Sequence, residues 1–124
     1  MKKIILSTFF IFGAIALSNA QQLKIVNYNN NIVEYGNIEK GSEGKRILKI
    51  ENTGDKPLII SNIKTSCGCT VPSWTTTPIA PGKKGEIVVT YNTSIVGNFN
   101  KTMVISSNDV ENPVLNVTVQ GKVN

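Results

Sequence analysis

Histidine is absent from the 124 residues, and cysteine occurs only twice. Without imidazole the chain lacks the usual proton-transfer group near neutral pH and the commonest metal ligand. Ser-His and Cys-His nucleophilic catalysis are excluded on that ground. A closed zinc site needs four ligands, which two cysteines and no histidine do not supply within one chain. A glycosidase needs a positioned pair of carboxylates, and the eight acidic residues are scattered with no spacing that suggests one. Arginine is represented by Arg46 alone, and the lysines are spread along the chain rather than gathered with aromatics into a basic stripe. Nucleic-acid binding therefore has no support. Beyond the first twenty residues no stretch carries a 3.6-residue apolar period, so amphipathic helices are missing as well. The expectation from these absences is a protein that is not an enzyme and holds no cofactor.

What is present starts with an export signal. Lys2 and Lys3 precede an apolar run from Ile4 to Leu17, and Ser18-Asn19-Ala20 supplies small residues for a peptidase. The run of about 14 residues falls short of the ~20 a spanning helix needs. Residues 1–20 are read as a cleaved secretory signal peptide, and 21–124 as one domain with no stable membrane anchor, periplasmic or secreted. Loss of Lys2 and Lys3 takes the 13 basic residues to 11 against 8 acidic, a net charge of +3.

The remainder reads as short strands separated by turn residues. Leu23–Tyr28 and Ile32–Tyr35 are β-rich runs broken by Asn29-Asn30-Asn31. Leu48 and Ile50 alternate with Lys49 and Glu51 up to a Thr53-Gly54-Asp55-Lys56 turn, after which PLIISNIKTS follows; the two runs are predicted to pair as a hairpin. Asn52 is expected to cap the turn through its side chain. VPSWTTTPIAPGKKG, punctuated by Pro72, Pro78 and Pro81, reads as an irregular connection. EIVVTYN, FNKTMVISSN and PVLNVTVQGKV then alternate apolar with polar residues. About seven such strands predict an antiparallel, immunoglobulin-like β-sandwich, with Leu48, Ile50, Ile87, Val89, Leu115 and Val117 in its core.

SCGCTVPSW, IAPGKKGEIVVTYN and GNFNKTMVISSN together are similar to domain-of-unknown-function family 1573, a secreted bacterial family. ENTGDKPLIISNI resembles the corresponding hairpin of Hydin-type (ASH) domains, which are immunoglobulin-like and related to the chaperone PapD. The resemblance implies an immunoglobulin-like sandwich and an exported location, and it implies no biochemical activity.

Cys67 and Cys69 are the candidate site. In an exported protein their default state is a disulfide. Residues two apart in an extended strand sit about 6.6 Å apart, near the upper end for a disulfide, so a bend at Gly68 is expected. A three-residue loop gains at most about 1.6 kcal/mol in the chain-entropy description, against roughly 4 for a bridge across ~50 residues. Three readings stand open: a local clip, a redox-active pair, or capture of a soft metal such as Cu(I) by two thiolates. Trp74 is a candidate partner-binding anchor or a buried plug. The leading expectation is an interaction or structural module of the cell envelope with a protein partner. The surfaces proposed for that partner are the amino-terminal strand, the carboxy-terminal strand and the Trp74 loop.

Overall fold

The computed structural model describes residues 21–124. The predicted signal peptide, residues 1–20, lies outside the described residues. Eight strands follow one another: β1 Leu23–Ile25, β2 Ile32–Ile38, β3 Lys45–Asn52, β4 Ile60–Thr65, β5 Thr70–Trp74, β6 Lys84–Tyr91, β7 Gly97–Ser107 and β8 Val114–Val123. They form two four-stranded sheets, ordered β1-β3-β6-β5 and β2-β8-β7-β4. All pairs are antiparallel except β2 with β8, which is parallel. This is an immunoglobulin-like sandwich, as the alternation predicts.

The alternation works because a strand sends successive side chains to opposite faces. Leu48 and Ile50 from β3, Ile87 and Val89 from β6, Met103 and Ile105 from β7, and Val117 and Val119 from β8 are fully buried between the sheets. Leu115, expected among them, is only half-buried and packs on the margin of this cluster. It lies near the start of β8, the second residue of the strand. At one end Tyr35, Tyr91 and Phe99 close the core. The Tyr91 and Phe99 rings stack at 3.8 Å, and Tyr35 meets Phe99 edge-on at 5.3 Å. Arg46 covers the Tyr35 ring at 4.2 Å. The Tyr35 hydroxyl donates to the Gly44 carbonyl at 2.6 Å, and burial pushes its pKa up to about 12.

Three expectations about connectivity need correction. β3 and β4 do not form a hairpin: β3 pairs with β1 and β6, whereas β4 pairs with β7 in the other sheet. The Thr53–Ile59 link is therefore a crossover between sheets. Asn52 turns the chain there from a fully buried position, and it does more than cap a turn. Its Oδ1 accepts from Gly54 N–H at 2.9 Å and from Gln22 N–H at 3.3 Å, while its amide donates to Lys56 and Ile79 carbonyls at 2.6 and 2.9 Å. Next, the stretch read as irregular contains β5, an edge strand that tolerates Pro72 because a proline nitrogen can face the unpaired side. Finally, the carboxy-terminal strand expected to receive a partner is β8, which lies between β2 and β7 and has no unpaired edge.

Candidate functional site

Ser66–Cys69 links the edge strand of one sheet, β4, to the edge strand of the other, β5. Four residues must carry the chain across the sandwich here, and local bonding makes the bend. Thr70 N–H donates to Cys67 C=O at 3.2 Å, closing a turn over Gly68. The Thr65 hydroxyl lies 3.0 Å from both the Cys67 and the Thr70 carbonyl oxygens and is shared between them. Cys69 N–H points at Cys67 Sγ at 3.1 Å. The corner is also tied to its neighbours: Ser66 N–H donates to Thr102 C=O, the Ser66 hydroxyl oxygen accepts from Thr102 N–H, and Asn92 N–H donates to Cys69 C=O.

Within this frame Cys67 and Cys69 are joined by a disulfide, with their Cα atoms 5.2 Å apart. That separation is shorter than an extended strand gives and within the usual disulfide span. Gly68 supplies the bend without entering the left-handed region, and a methyl group added there meets no atom within 4 Å. Both cysteines are half-buried. The closed disulfide offers no thiolate to a soft metal. Among the described residues no three His, Cys, Asp or Glu side chains gather into a metal-holding group.

Trp74 sits at the end of β5 rather than in a loop, opposite Ile87, half-buried against the core. The side of the sandwich it belongs to is closed twice. The disulfide corner joins β4 to β5 at one end, and Leu58 and Ile79 exchange both backbone bonds at 2.9 and 2.8 Å at the other. The β5 edge is also poor in donors. The Cys69–Asn92 and Thr75–Glu86 bonds fix the ladder phase, so Thr70, Pro72 and Trp74 direct their backbone away from β6. Pro72 has no N–H, and Thr70 is already bonded within the corner.

The opposite side differs. β1 is three residues long, and Leu23 N–H is taken by the buried Asp109 carboxylate at 2.8 Å. β2 is seven residues long and, among the described residues, pairs only with β8. Thr118 N–H donates to Asn31 C=O, which sets the alternation so that Val33 faces β8 and Glu34 turns its backbone N–H and C=O outward. The Glu34 side chain lies on the outer face of the sheet, accepting from Gln120 at 2.8 Å and from Gly36 N–H at 2.9 Å. Those two bonds, the Gln120 one foremost, hold its carboxyl below the usual range. The sequence offered no sign of this edge, because which strand is outermost is a property of pairing.

The fold has known counterparts. A protein of unknown function from Porphyromonas gingivalis aligns with a TM-score of 0.72 at 17% identity, over 88% of this chain and 50% of that one. The chain thus spans half the length of that protein. PapD-like domain 7 of human CEP192 aligns over 98% of both chains with a TM-score of 0.67 at 10% identity. The CupB2 chaperone of Pseudomonas aeruginosa aligns with a TM-score of 0.57 at 10% identity, over 77% of this chain and 54% of that one. At these identities the likeness is one of fold. No curated protein sequence matches the chain. Over residues 26–123 it matches the family described as a protein of unknown function, DUF1573, and the chain belongs to that family.

Proposed function

We propose that this domain is an exported, non-enzymatic interaction module of the bacterial envelope, and that it receives an extended segment of a partner protein along β2. The observation that carries the proposal is the asymmetry of the sandwich. The β4/β5 side is bonded shut at both ends, while β2 has a partner strand among the described residues on one side only and turns the Glu34 N–H and C=O outward, its Ile32 and Gly36 N–H groups being bonded to Asn29 C=O and the Glu34 carboxylate. An unpaired edge is a template for a further strand, and main-chain bonds to it supply affinity independent of side-chain identity. The chaperone and PapD-like counterparts support a protein-binding role for the fold, and the export reading rests on the amino-terminal sequence with the local disulfide.

Glu34→Pro tests this directly. It removes the outward N–H and places a ring on the edge, where the strand's own ladder does not use that nitrogen. Capture from an envelope extract should recover a stoichiometric partner with the native domain and lose it with the variant, circular dichroism showing both folded. Equal recovery by both, or no partner at all, defeats the proposal.

Cys67 and Cys69 are partly exposed, which leaves their sulfurs accessible to an attacking thiolate and supports, as a second reading, thiol exchange at the corner. Thiol labelling of protein taken from its own compartment separates the two. A pair that stays fully oxidised under mild reductant leaves the disulfide as a clip only.

A further inference from the structure

The outer face of the β2-β8-β7 sheet carries a groove of about 530 Å³ whose lining includes Asn37, Asn98, Asn100, Gln120 and Lys122. Its shape follows from register. Asn100, Gln120 and Glu34 stand opposite one another across the three strands, and so do Asn98, Lys122 and Asn37. Two residues along β7 and β8 separate these rows, about 6.6 Å, and three along the bulged β2, so they form two polar walls. The floor between them is the backbone around Gly121. A Cβ there would come within 2.7 Å of Tyr35 Cβ and 3.0 Å of the Gly36 carbonyl. Its absence lets β2 close onto β8. The register of β2 also slips between Glu34 and Asn37, with Gly36 at φ 70°, and such a bulge bends the strand. The groove is shallow and open to solvent.

The walls differ in order. In the first, Asn100 donates to Gln120 at 3.2 Å and Gln120 donates to Glu34 at 2.8 Å, so the amides are fixed in orientation. In the second, the Asn37 and Asn98 side chains make no hydrogen bond among the described residues and face the groove with donor and acceptor free. One carboxylate, Glu34, and one ammonium, Lys122, balance in charge. The aromatic Phe99 lies beneath, buried.

The geometry points to a neutral, hydroxyl-rich ligand in this groove: sugar units of an oligosaccharide lying across the three strands between the two polar walls. Amides present a donor and an acceptor side by side, which matches neighbouring hydroxyls, themselves donors and acceptors. The balanced charge gives no preference to an anion or a cation. The volume falls within the range of small-ligand sites. With no exposed ring to stack on, affinity is of millimolar order, about 1 mM in Kd. The groove uses side chains of the sheet face, whereas the peptide site of the preceding section uses backbone on the β2 edge, so each can fail alone.

The test is a two-dimensional NMR titration of the mature domain with cellotetraose, chitotetraose and maltotetraose, each to roughly 10 mM, well above a weak millimolar Kd. At least one should shift amides of Asn37, Asn98, Asn100 and Gln120 and leave the Cys67–Cys69 corner unmoved. Asn37→Ala and Asn98→Ala, which break no side-chain bond among the described residues, should each weaken that binding about fivefold, the loss of one hydrogen bond. Absence of shifts with all three sugars, shifts elsewhere, or shifts unchanged in both variants overturn the inference.

Discussion

The chain crosses between sheets, edge strand to edge strand, at two corners that solve one problem with different chemistry. Val26–Asn31 carries it from β1 to β2, and Ser66–Cys69 carries it from β4 to β5. The first corner uses asparagine. Asn30 and Asn31 both sit at φ 56°, a left-handed conformation that asparagine adopts more readily than other residues with a side chain. Asn27 extends the ladder beyond β1, accepting from Lys49 N–H and donating to Ile47 C=O, both at 2.9 Å. The second corner is two residues shorter and uses a covalent ring, backed by bonds to Thr102 and Asn92. A covalent link is therefore not what makes a corner. Six residues with two left-handed asparagines achieve by conformation what four residues achieve with a disulfide in place. Hydrogen bonds to neighbouring strands anchor both.

If so, the sheets should matter more than either corner. Ile50→Ala, in the fully buried centre, should cost about 2 to 5 kcal/mol in chemical denaturation, more than any corner substitution. Leu115→Ala should fall below that range because its side chain is half-buried. Should Ile50→Ala be nearly silent, the corners and not the core would be holding the fold.

Alkali addresses the strand that leaves the asparagine corner. Tyr35 has its pKa raised from 10.0 to about 12, by burial first of all, so the folded state favours the neutral phenol. The stability it contributes is complete below pH 10 and lost as the pH climbs through 12. Denaturation midpoints for native and Tyr35→Phe protein should therefore converge in behaviour below pH 10 and differ above it, the native domain losing more. Parallel curves throughout would show that the phenol does not titrate with folding.

The asparagine corner comes next. Asn31→Val forces a β-branched residue into the left-handed region and should cost roughly 1 to 2 kcal/mol, while Asn30→Gly should be neutral or mildly favourable. The disulfide corner follows closely. Replacing both Cys67 and Cys69 with serine should leave the fold intact at a cost of no more than about 1 to 2 kcal/mol, the small closure entropy of a three-residue loop. A double-serine domain that fails to fold would reverse the ranking of the two corners. The smallest effect belongs to Gly68→Ala, expected within about 0.5 kcal/mol because its backbone is not left-handed and the space beside it is open. A loss above 1 kcal/mol, roughly the worth of one hydrogen bond, would mean that the corner needs glycine after all.

Alternation along β3, β6, β7 and β8 determined the class of fold and nearly all of the core, because a strand's two-residue period is written in its own sequence. The same logic found Asn52 as a turn residue and Cys67-Gly68-Cys69 as a local pair, since both depend on near neighbours. It misjudged Leu115, whose burial depends on where β8 enters the core. Pairing was out of reach. A two-residue period states that β3 and β4 each have an inner face, and nothing in it states that they belong to different sheets, that β8 is central, or that Pro72 lies on an edge. The groove shows the same limit most sharply: Asn100, Gln120 and Glu34 are up to 86 residues apart, and only the register of three strands sets them in a row.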